Sequence, residues 1–104
     1  MNIGKRRTII KKSRRREEQA AEEIGGRRVP GSGSGVSKGD ARNEDWYVDD
    51  KMVMRGSRFV ISQDIMDKAL GQAHKTGRDP VIRVGLPKYN IAIIMWDDFV
   101  ELIK

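Results

Sequence analysis

The pattern of hydrophobic and polar positions changes its period along the chain, and each period predicts a kind of element. Short runs rich in valine, isoleucine and aromatic residues, bounded by Gly, Pro, Asn and Asp, are typical of β-strands. Four segments fit that description: residues 46–54, 58–61, 80–86 and 90–96. The last two are predicted to pair as a hairpin through the turn at residues 87–89.

Helical spacing occurs in three other segments. Within residues 63–76 the apolar positions recur every three or four residues on one face, which predicts a helix. Residues 13–24 carry a narrower apolar stripe and end at a pair of glycines. Asp98 and Glu101 resemble a capping box that opens a short final helix. The predicted order is α-β-β-α-β-β-α, so we expect an α/β fold: a single small domain with a mixed β-sheet flanked by helices.

The composition excludes several classes of protein. The chain has 104 residues and no cysteine, which excludes a disulfide framework and a cysteine-based zinc site. No apolar run reaches the roughly 20 residues of a membrane span, and the amino terminus lacks the apolar core of a signal peptide. We therefore expect a cytoplasmic protein that has no membrane partner and no small-molecule cofactor.

The charge balance suggests a polyanionic partner, nucleic acid first. Lys and Arg number 21 against 15 Asp and Glu, and eight of the basic residues lie within residues 1–16. Residues 1–12 are predicted to form a basic, partly disordered arm ahead of a domain at residues 13–104. Such an arm is either a solvated tail or a contact to phosphates, and only the second gives a steep dependence of binding on salt.

Residues 25–40 form a stretch rich in glycine and serine, with six of the eleven glycines of the chain. This composition is typical of a flexible linker. Arg27 and Arg28 precede the GSGSG run, Pro30 stiffens its entry, and a strand follows soon after. We therefore interpret it as a loop that crosses the edge of the sheet.

Candidate chemistry is concentrated at Asp40, Asp49 and Lys51. Side chains alternate along a strand, so Asp49 and Lys51 are predicted to share one face. Carboxylates are ligands for Mg²⁺, which can lower the pKa of a bound water and neutralise a phosphate, while an ammonium group can orient that water. Taken alone, the same spacing also fits a solvated strand face or a surface ion pair.

The order of the motifs resembles the PD-(D/E)xK nuclease superfamily. An acidic helix followed by a Gly/Ser-rich loop (EEQAAEEIGGRRVPGSGSG), then KGD, then a strand with VDDK look like the archaeal-type Holliday junction resolvases and their small phage-encoded relatives. The resemblance covers residues 13–104 and implies a restriction-endonuclease-like mixed sheet. It also implies a homodimer, because resolving a junction needs two symmetric cuts. Exposed apolar residues of the final helix or of residues 90–96 are the expected dimer contact.

Carried over by position, the resemblance assigns roles to single residues. Asp40 and Asp49 match the two acids of the motif and Lys51 matches its lysine, while Glu17, or Glu18 after a one-residue slip, matches the helical glutamate. The implied catalytic residues are Glu17, Asp40, Asp49 and Lys51, and the first three would hold Mg²⁺, with Mn²⁺ as a substitute. The implied DNA-binding residues are Arg14, Arg15, Arg16, Arg27, Arg28, Ser32, Ser34 and Lys38.

Two positions depart from the family pattern. Asp49 stands where the family usually has glutamate, and its arm is shorter. Asp50 stands where the family has a small or apolar residue, on the face of Val48 and Met52. A carboxylate facing a core is costly unless it is paired or protonated. The sequence therefore predicts either a less buried face or a cationic partner for Asp50.

The expected function is Mg²⁺-dependent hydrolysis of DNA phosphodiester bonds by an endonuclease, most specifically a Holliday junction resolvase in DNA recombination. A nicking or flap nuclease of the same superfamily is an alternative within this class. A non-catalytic basic protein that binds nucleic acid is a second alternative, in which binding survives the loss of Asp49 and ignores Mg²⁺. A small protein whose acidic helix and basic arm bind a protein partner is the third.

Overall fold

The computed structural model describes residues 3–29 and 40–104 of the chain. Ser32, Ser34 and Lys38, which the resemblance assigns to DNA binding, lie outside the described residues. The elements run in the order α1 (Ile3–Glu23), β1 (Arg27–Arg28), β2 (Asp40–Arg42), β3 (Trp46–Met52), α2 (Gln63–Lys75), β4 (Asp79–Gly85), β5 (Asn90–Ile94) and α3 (Trp96–Ile103).

The five described strands form one mixed sheet in sequential order, β1-β2-β3-β4-β5. The pairs β1–β2 and β2–β3 are antiparallel, the pair β3–β4 is parallel, and the pair β4–β5 is antiparallel. A parallel pair needs a crossover, and α2 supplies it between β3 and β4. The predicted class, one small α/β domain with a mixed sheet and flanking helices, is confirmed to this level. Among the described helices, none combines the length and apolar character that crossing a bilayer requires.

The predicted α2, the 80–86 and 90–96 strands and the hairpin between them are confirmed, but the strand predicted at 58–61 is wrong. Phe59 packs into the core beside α2, whereas Val60 is 77% exposed. A strand requires a neighbour for its backbone hydrogen bonds. Both sides of β4 are occupied by β3 and β5, and the 58–61 segment pairs with no strand of the described sheet, so its apolar side chains pack without a ladder of backbone hydrogen bonds.

The starts of two helices differ from the pattern. α1 begins at Ile3, ten residues before the predicted start, because the Lys and Arg residues within 3–12 favour helix even without an apolar stripe. Its last residue is Glu23, and the predicted glycine stop follows at Gly25, whose φ of 64° suits a glycine. α3 begins at Trp96 after Met95, with no side-chain cap, so the predicted capping box at Asp98 and Glu101 does not open it.

The two faces of the sheet are covered by different helices. Ala20 and Ala21 of α1 pack on Ala41 and Val48, which share one face. Ala69 of α2 packs on Ile82 and Val84 on the other face. Register therefore decides which helix each strand residue meets.

A buried ionic cluster joins α1 to the sheet. Asp50 accepts two hydrogen bonds of 2.6 Å from the guanidinium of Arg16 and one of 3.1 Å from Arg83. Arg83 is the register partner of Asp50 on β4, so both lie on the α1 face. The guanidinium of Arg16 also donates to Asn90 Oδ1 at 2.9 Å, which fixes the group over Gly85.

Gly85→Ala is expected to destabilise the fold by about 1–3 kcal/mol, the cost of overpacking a tight site. A Cβ at Gly85 would lie only 2.5 Å from Cζ of Arg16. Arg16 cannot move aside without losing its hydrogen bonds to Asp50 and Asn90. Urea unfolding of both proteins measures the change.

Gly71→Ala is the matched control, because Gly71 lies inside α2 with no atom within 4 Å of an added Cβ. Alanine in a helix interior is favoured over glycine, so this variant is expected to gain about 0.5–1 kcal/mol. Equal changes for Gly85→Ala and Gly71→Ala would contradict the role of Arg16.

Candidate active site

The antiparallel pairing of β2 with β3 places Asp40 directly opposite Asp49. Facing residues of an antiparallel pair have side chains on the same face, about 4.5–5.5 Å apart at Cβ. Asn43 fixes this register, because its Oδ1 accepts hydrogen bonds from the backbone N–H groups of Asp45 (2.9 Å) and Trp46 (2.7 Å). The two acids predicted from the motif are therefore neighbours through the geometry of a short turn.

Each member of the acidic pair has its own polar partner. The hydroxyl of Tyr47 donates to Asp40 Oδ2 at 2.7 Å. Nζ of Lys51 lies 3.3 Å from Asp49 Oδ2. Along β3, the residues that face α1 alternate with Tyr47, Asp49 and Lys51. The two-residue period of a strand predicted that these three side chains share a face, and this is confirmed.

Burial sets the ionisation of this pair. Burial raises the pKa of Asp49, while the nearby Lys51 ammonium opposes that rise. Burial and the hydrogen bond to Asp40 raise the pKa of Tyr47, so the phenol remains a donor. The ionised form of a buried carboxyl group is stabilised by a cation brought beside it.

The donor set fits a hard divalent cation such as Mg²⁺. Mg²⁺ usually keeps several waters and takes one or two protein carboxylates together with substrate phosphates. Asp40 and Asp49 supply two carboxylates on one face, and both are more than nine-tenths buried. Within residues 3–29 and 40–104, no group of three or more acidic or histidine side chains is arranged to hold a metal ion.

Asp50 faces the other side of the sheet and takes no part in this pair. Its side chain is 3% exposed and contacts Arg16 and Arg83. Of the two expectations for this position, the cationic partner is confirmed, and the less buried face is wrong.

The other predicted site residues lie mainly with α1. Glu17 is 4% exposed, and its Oε2 lies 3.6 Å from Nε of Arg28. Arg28 pairs in register with Ala41, which faces α1, so this contact belongs to the α1 side of the sheet. Glu18 is exposed, as are Arg14 and Arg15. Of the three neighbouring arginines, Arg16 alone is turned towards the sheet, where it binds Asp50.

Two residues join the site that the motif did not single out. Tyr47 positions Asp40, and Arg42 lies on the same face of β2 as Asp40 and opposite Tyr47. Each is two positions from a motif acid along its strand. The same alternation that linked Asp49 to Lys51 could have found both.

Comparisons with known proteins do not place this chain in a family. A scan against known protein families found no match, and searches of curated proteins and of solved structures found none either. The resemblance to PD-(D/E)xK nucleases is thus carried by the order of the motifs, and the function that it implies is a proposal.

Proposed function

We propose that this protein is a Mg²⁺-dependent DNA endonuclease of the PD-(D/E)xK type that acts on branched DNA, most specifically on four-way junctions as a Holliday junction resolvase. The observation that carries the proposal is the register of β2 and β3. It sets Asp40 beside Asp49, with the Lys51 ammonium 3.3 Å from Asp49 Oδ2. This agrees with the implied arrangement, in which an acid opens one strand and a D/E-x-K motif lies on the next.

Asp40 and Asp49 are the residues that would hold Mg²⁺. When bound, the ion would supply a positive charge against the scissile phosphate and would make water more acidic. The Lys51 side chain is 41% exposed, so its ammonium can reach a water and orient it towards phosphorus. The water oxygen forms a bond to phosphorus, the P–O bond to one sugar breaks, and a proton from the water ends on the leaving sugar oxygen as a hydroxyl group. The resemblance also assigns Glu17 to the metal, but its contact with Arg28 lies on the α1 side of the sheet, so the two-carboxylate site is proposed without it.

Charge along α1 supports an anionic partner. Its first turn contains no acidic residue and its last turn no basic residue, which opposes the helix macrodipole. The exposed side chains of Lys12, Arg14 and Arg15 lie in the middle of α1 and add further positive charge. Phosphates bound along this part of α1 would offset the repulsion among these cations.

A homodimer is part of the proposal, because two symmetric cuts need two active sites. α3 contains no buried residue, and Trp96, Leu102 and Ile103 are 72%, 59% and 67% exposed. Large apolar side chains exposed together on one short helix are typical of an interface between proteins. α3 follows β5, the edge strand of the described sheet, so this end of the domain is the proposed contact between copies.

Cleavage of a labelled four-way junction tests the proposal, beside a linear duplex of the same sequences. We expect symmetric cuts in the junction with Mg²⁺ or Mn²⁺, none with EDTA, and little cutting of the duplex. The substitution Asp40→Asn keeps the shape of a metal-holding residue and removes its charge. The protein that carries it should cut neither substrate. Gln63→Ala, an exposed change at the start of α2, is the control that should cut like the wild type.

The outcomes separate the candidate functions. Cuts in nicked or flapped DNA in preference to the junction would retain the nuclease and replace its substrate. Junction binding that never leads to cutting, and that neither Mg²⁺ nor Asp40→Asn changes, would overturn the nuclease in favour of a non-catalytic DNA-binding protein.

A further inference from the structure

A groove of about 470 Å³ lies at the end of the sheet where three connections meet. These connections join α1 to β1, β2 to β3, and α2 to β4. The groove is lined by Gly25, Gly26, Arg27, Arg42, Asn43, Glu44 and Arg78. Three arginines and one glutamate give this concave surface a positive balance.

The arginines of the groove keep donors for a ligand. Among ion pairs between described residues, none includes Arg27, Arg42 or Arg78. Arg78 uses Nε and Nη1 to bind the carbonyl oxygens of Asn43 (2.6 Å) and Thr76 (3.1 Å), and a guanidinium has five N–H groups. An arginine held in this way is positioned before a ligand arrives.

The wall of the groove is fixed by Asn43 and Gly26. Nδ2 of Asn43 donates to the carbonyl oxygen of Ile24 at 3.0 Å, which ties the end of α1 to the β2–β3 turn. A Cβ at Gly26 would collide with the backbone of Arg42, so the two segments lie in close contact. The groove is therefore a built feature of the fold.

The groove continues the face that holds the acidic pair. Arg27 and Arg42 are register partners across β1 and β2, so their side chains share a face. Arg42 lies two residues from Asp40 on that same face, which corresponds to about 7 Å along a strand. The phosphate that is cut would lie at Asp40 and Asp49. Cations at this distance from that carboxylate pair could bind a neighbouring phosphate on the same DNA strand.

We propose that the groove lined by Arg27, Arg42 and Arg78 binds a backbone phosphate of the DNA strand, separate from the phosphate that is cut. This inference rests on the proposed function for its ligand and extends it with a second anchoring point. Guanidinium groups recognise phosphate oxygens by paired hydrogen bonds. Arg27 contributes an exposed cation, Arg42 a half-buried one, and Arg78 one that its hydrogen bonds orient.

Binding of a fluorescent four-way junction in EDTA tests the groove, because cleavage is then not required. Arg27→Gln combined with Arg42→Gln is expected to weaken binding about tenfold or more near physiological salt and to lower the salt slope by about one, since one phosphate contact is lost. Arg55→Gln combined with Arg58→Gln removes the same charge from exposed positions outside the groove. Thermal unfolding of each variant shows that the fold is intact.

Each result decides the matter. A groove variant that loses affinity and salt slope while the control pair loses clearly less supports the inference. Equal losses for the two pairs, wild-type affinity in the groove variant, or no binding of DNA by the wild type would overturn it.

If the groove variant alone binds weakly and the wild type never cuts DNA, the nuclease fails and the groove stands. If the wild type cuts and the groove variant binds normally, the nuclease stands and the groove fails.

Discussion

Asp50→Ala is expected to lower the free energy of unfolding by about 3–5 kcal/mol, the range for breaking a buried ion pair from one side. Its carboxylate is 3% exposed and lies between the guanidinium groups of Arg16 and Arg83. Those groups are 17% and 11% exposed, so alanine leaves two like charges facing each other with little water. Urea unfolding of the purified variant measures the loss.

Asp67→Ala controls for the removal of a carboxylate, because Asp67 is exposed on α2, and its change is expected to stay within about 0.5 kcal/mol. Arg16→Met combined with Asp50→Ala should lose less than the sum of the single changes, since the two residues share one network. Additive losses, or a small effect of Asp50→Ala alone, would contradict the ionic cluster as the tie between α1 and the sheet.

Asp49→Asn is expected to reduce junction cleavage about 1,000-fold or more, because the charge lost here would serve a metal worth several kcal/mol at the transition state and each 1.36 kcal/mol is a factor of ten. The same change is expected to raise Tm at neutral pH. Burial raises the pKa of Asp49, so its ionised form is disfavoured by folding. Asparagine keeps the shape and removes that cost.

The pH dependence of this gain has a definite sign. A carboxyl whose pKa is raised by folding contributes stability below its ordinary pKa of 3.8, and that contribution is lost as pH rises through the folded pKa. The Tm advantage of Asp49→Asn is therefore expected at neutral pH, and it should shrink as the pH falls towards 3.8. Asp45→Asn, an exposed change in the same hairpin turn, is the control for replacing a carboxylate by an amide in this part of the chain.

Loss of cleavage together with a lower Tm at neutral pH would show that Asp49 acts as a structural residue. The neighbouring residue Asp50 provides a direct comparison. Asp49 and Asp50 are adjacent in sequence and similarly buried, yet they lie on opposite faces of β3. The Asp49 carboxylate is expected to lower the free energy of unfolding at neutral pH, and the Asp50 carboxylate is expected to raise it.

The parts of the site that depend on strand periodicity could be predicted from the sequence. Alternation alone put Asp49 and Lys51 on one face and Asp50 on the other, and the structure agrees. The need of a buried carboxylate for a cation also gave a cationic partner for Asp50 as one of two alternatives. Which cation could not be predicted, because Arg16 and Arg83 lie 34 and 33 residues away along the chain.

Long-range pairing accounts for most of what the sequence did not reveal. β1 and β2 have two and three residues with arginine and aspartate among them, so neither shows an apolar run. They are strands because β3 offers a backbone partner, which is a tertiary effect. The apolar 58–61 segment is the converse case, in which composition favours a strand but the segment pairs with no strand of the described sheet.

Apart from Asn43, whose side chain holds the turn at residues 43–45, the length of this turn matters more than its composition. Surface connections usually tolerate a gained or lost residue. Here one extra residue would shift the pairing of β2 by one position, and Asp40 would leave its place opposite Asp49 for the α1 side of the sheet. Every acidic residue would survive such an insertion while the pair ceased to exist. Along a lineage of such proteins, the spacing between Asp40 and Asp49 should therefore drift less than the chemical identity of the turn residues.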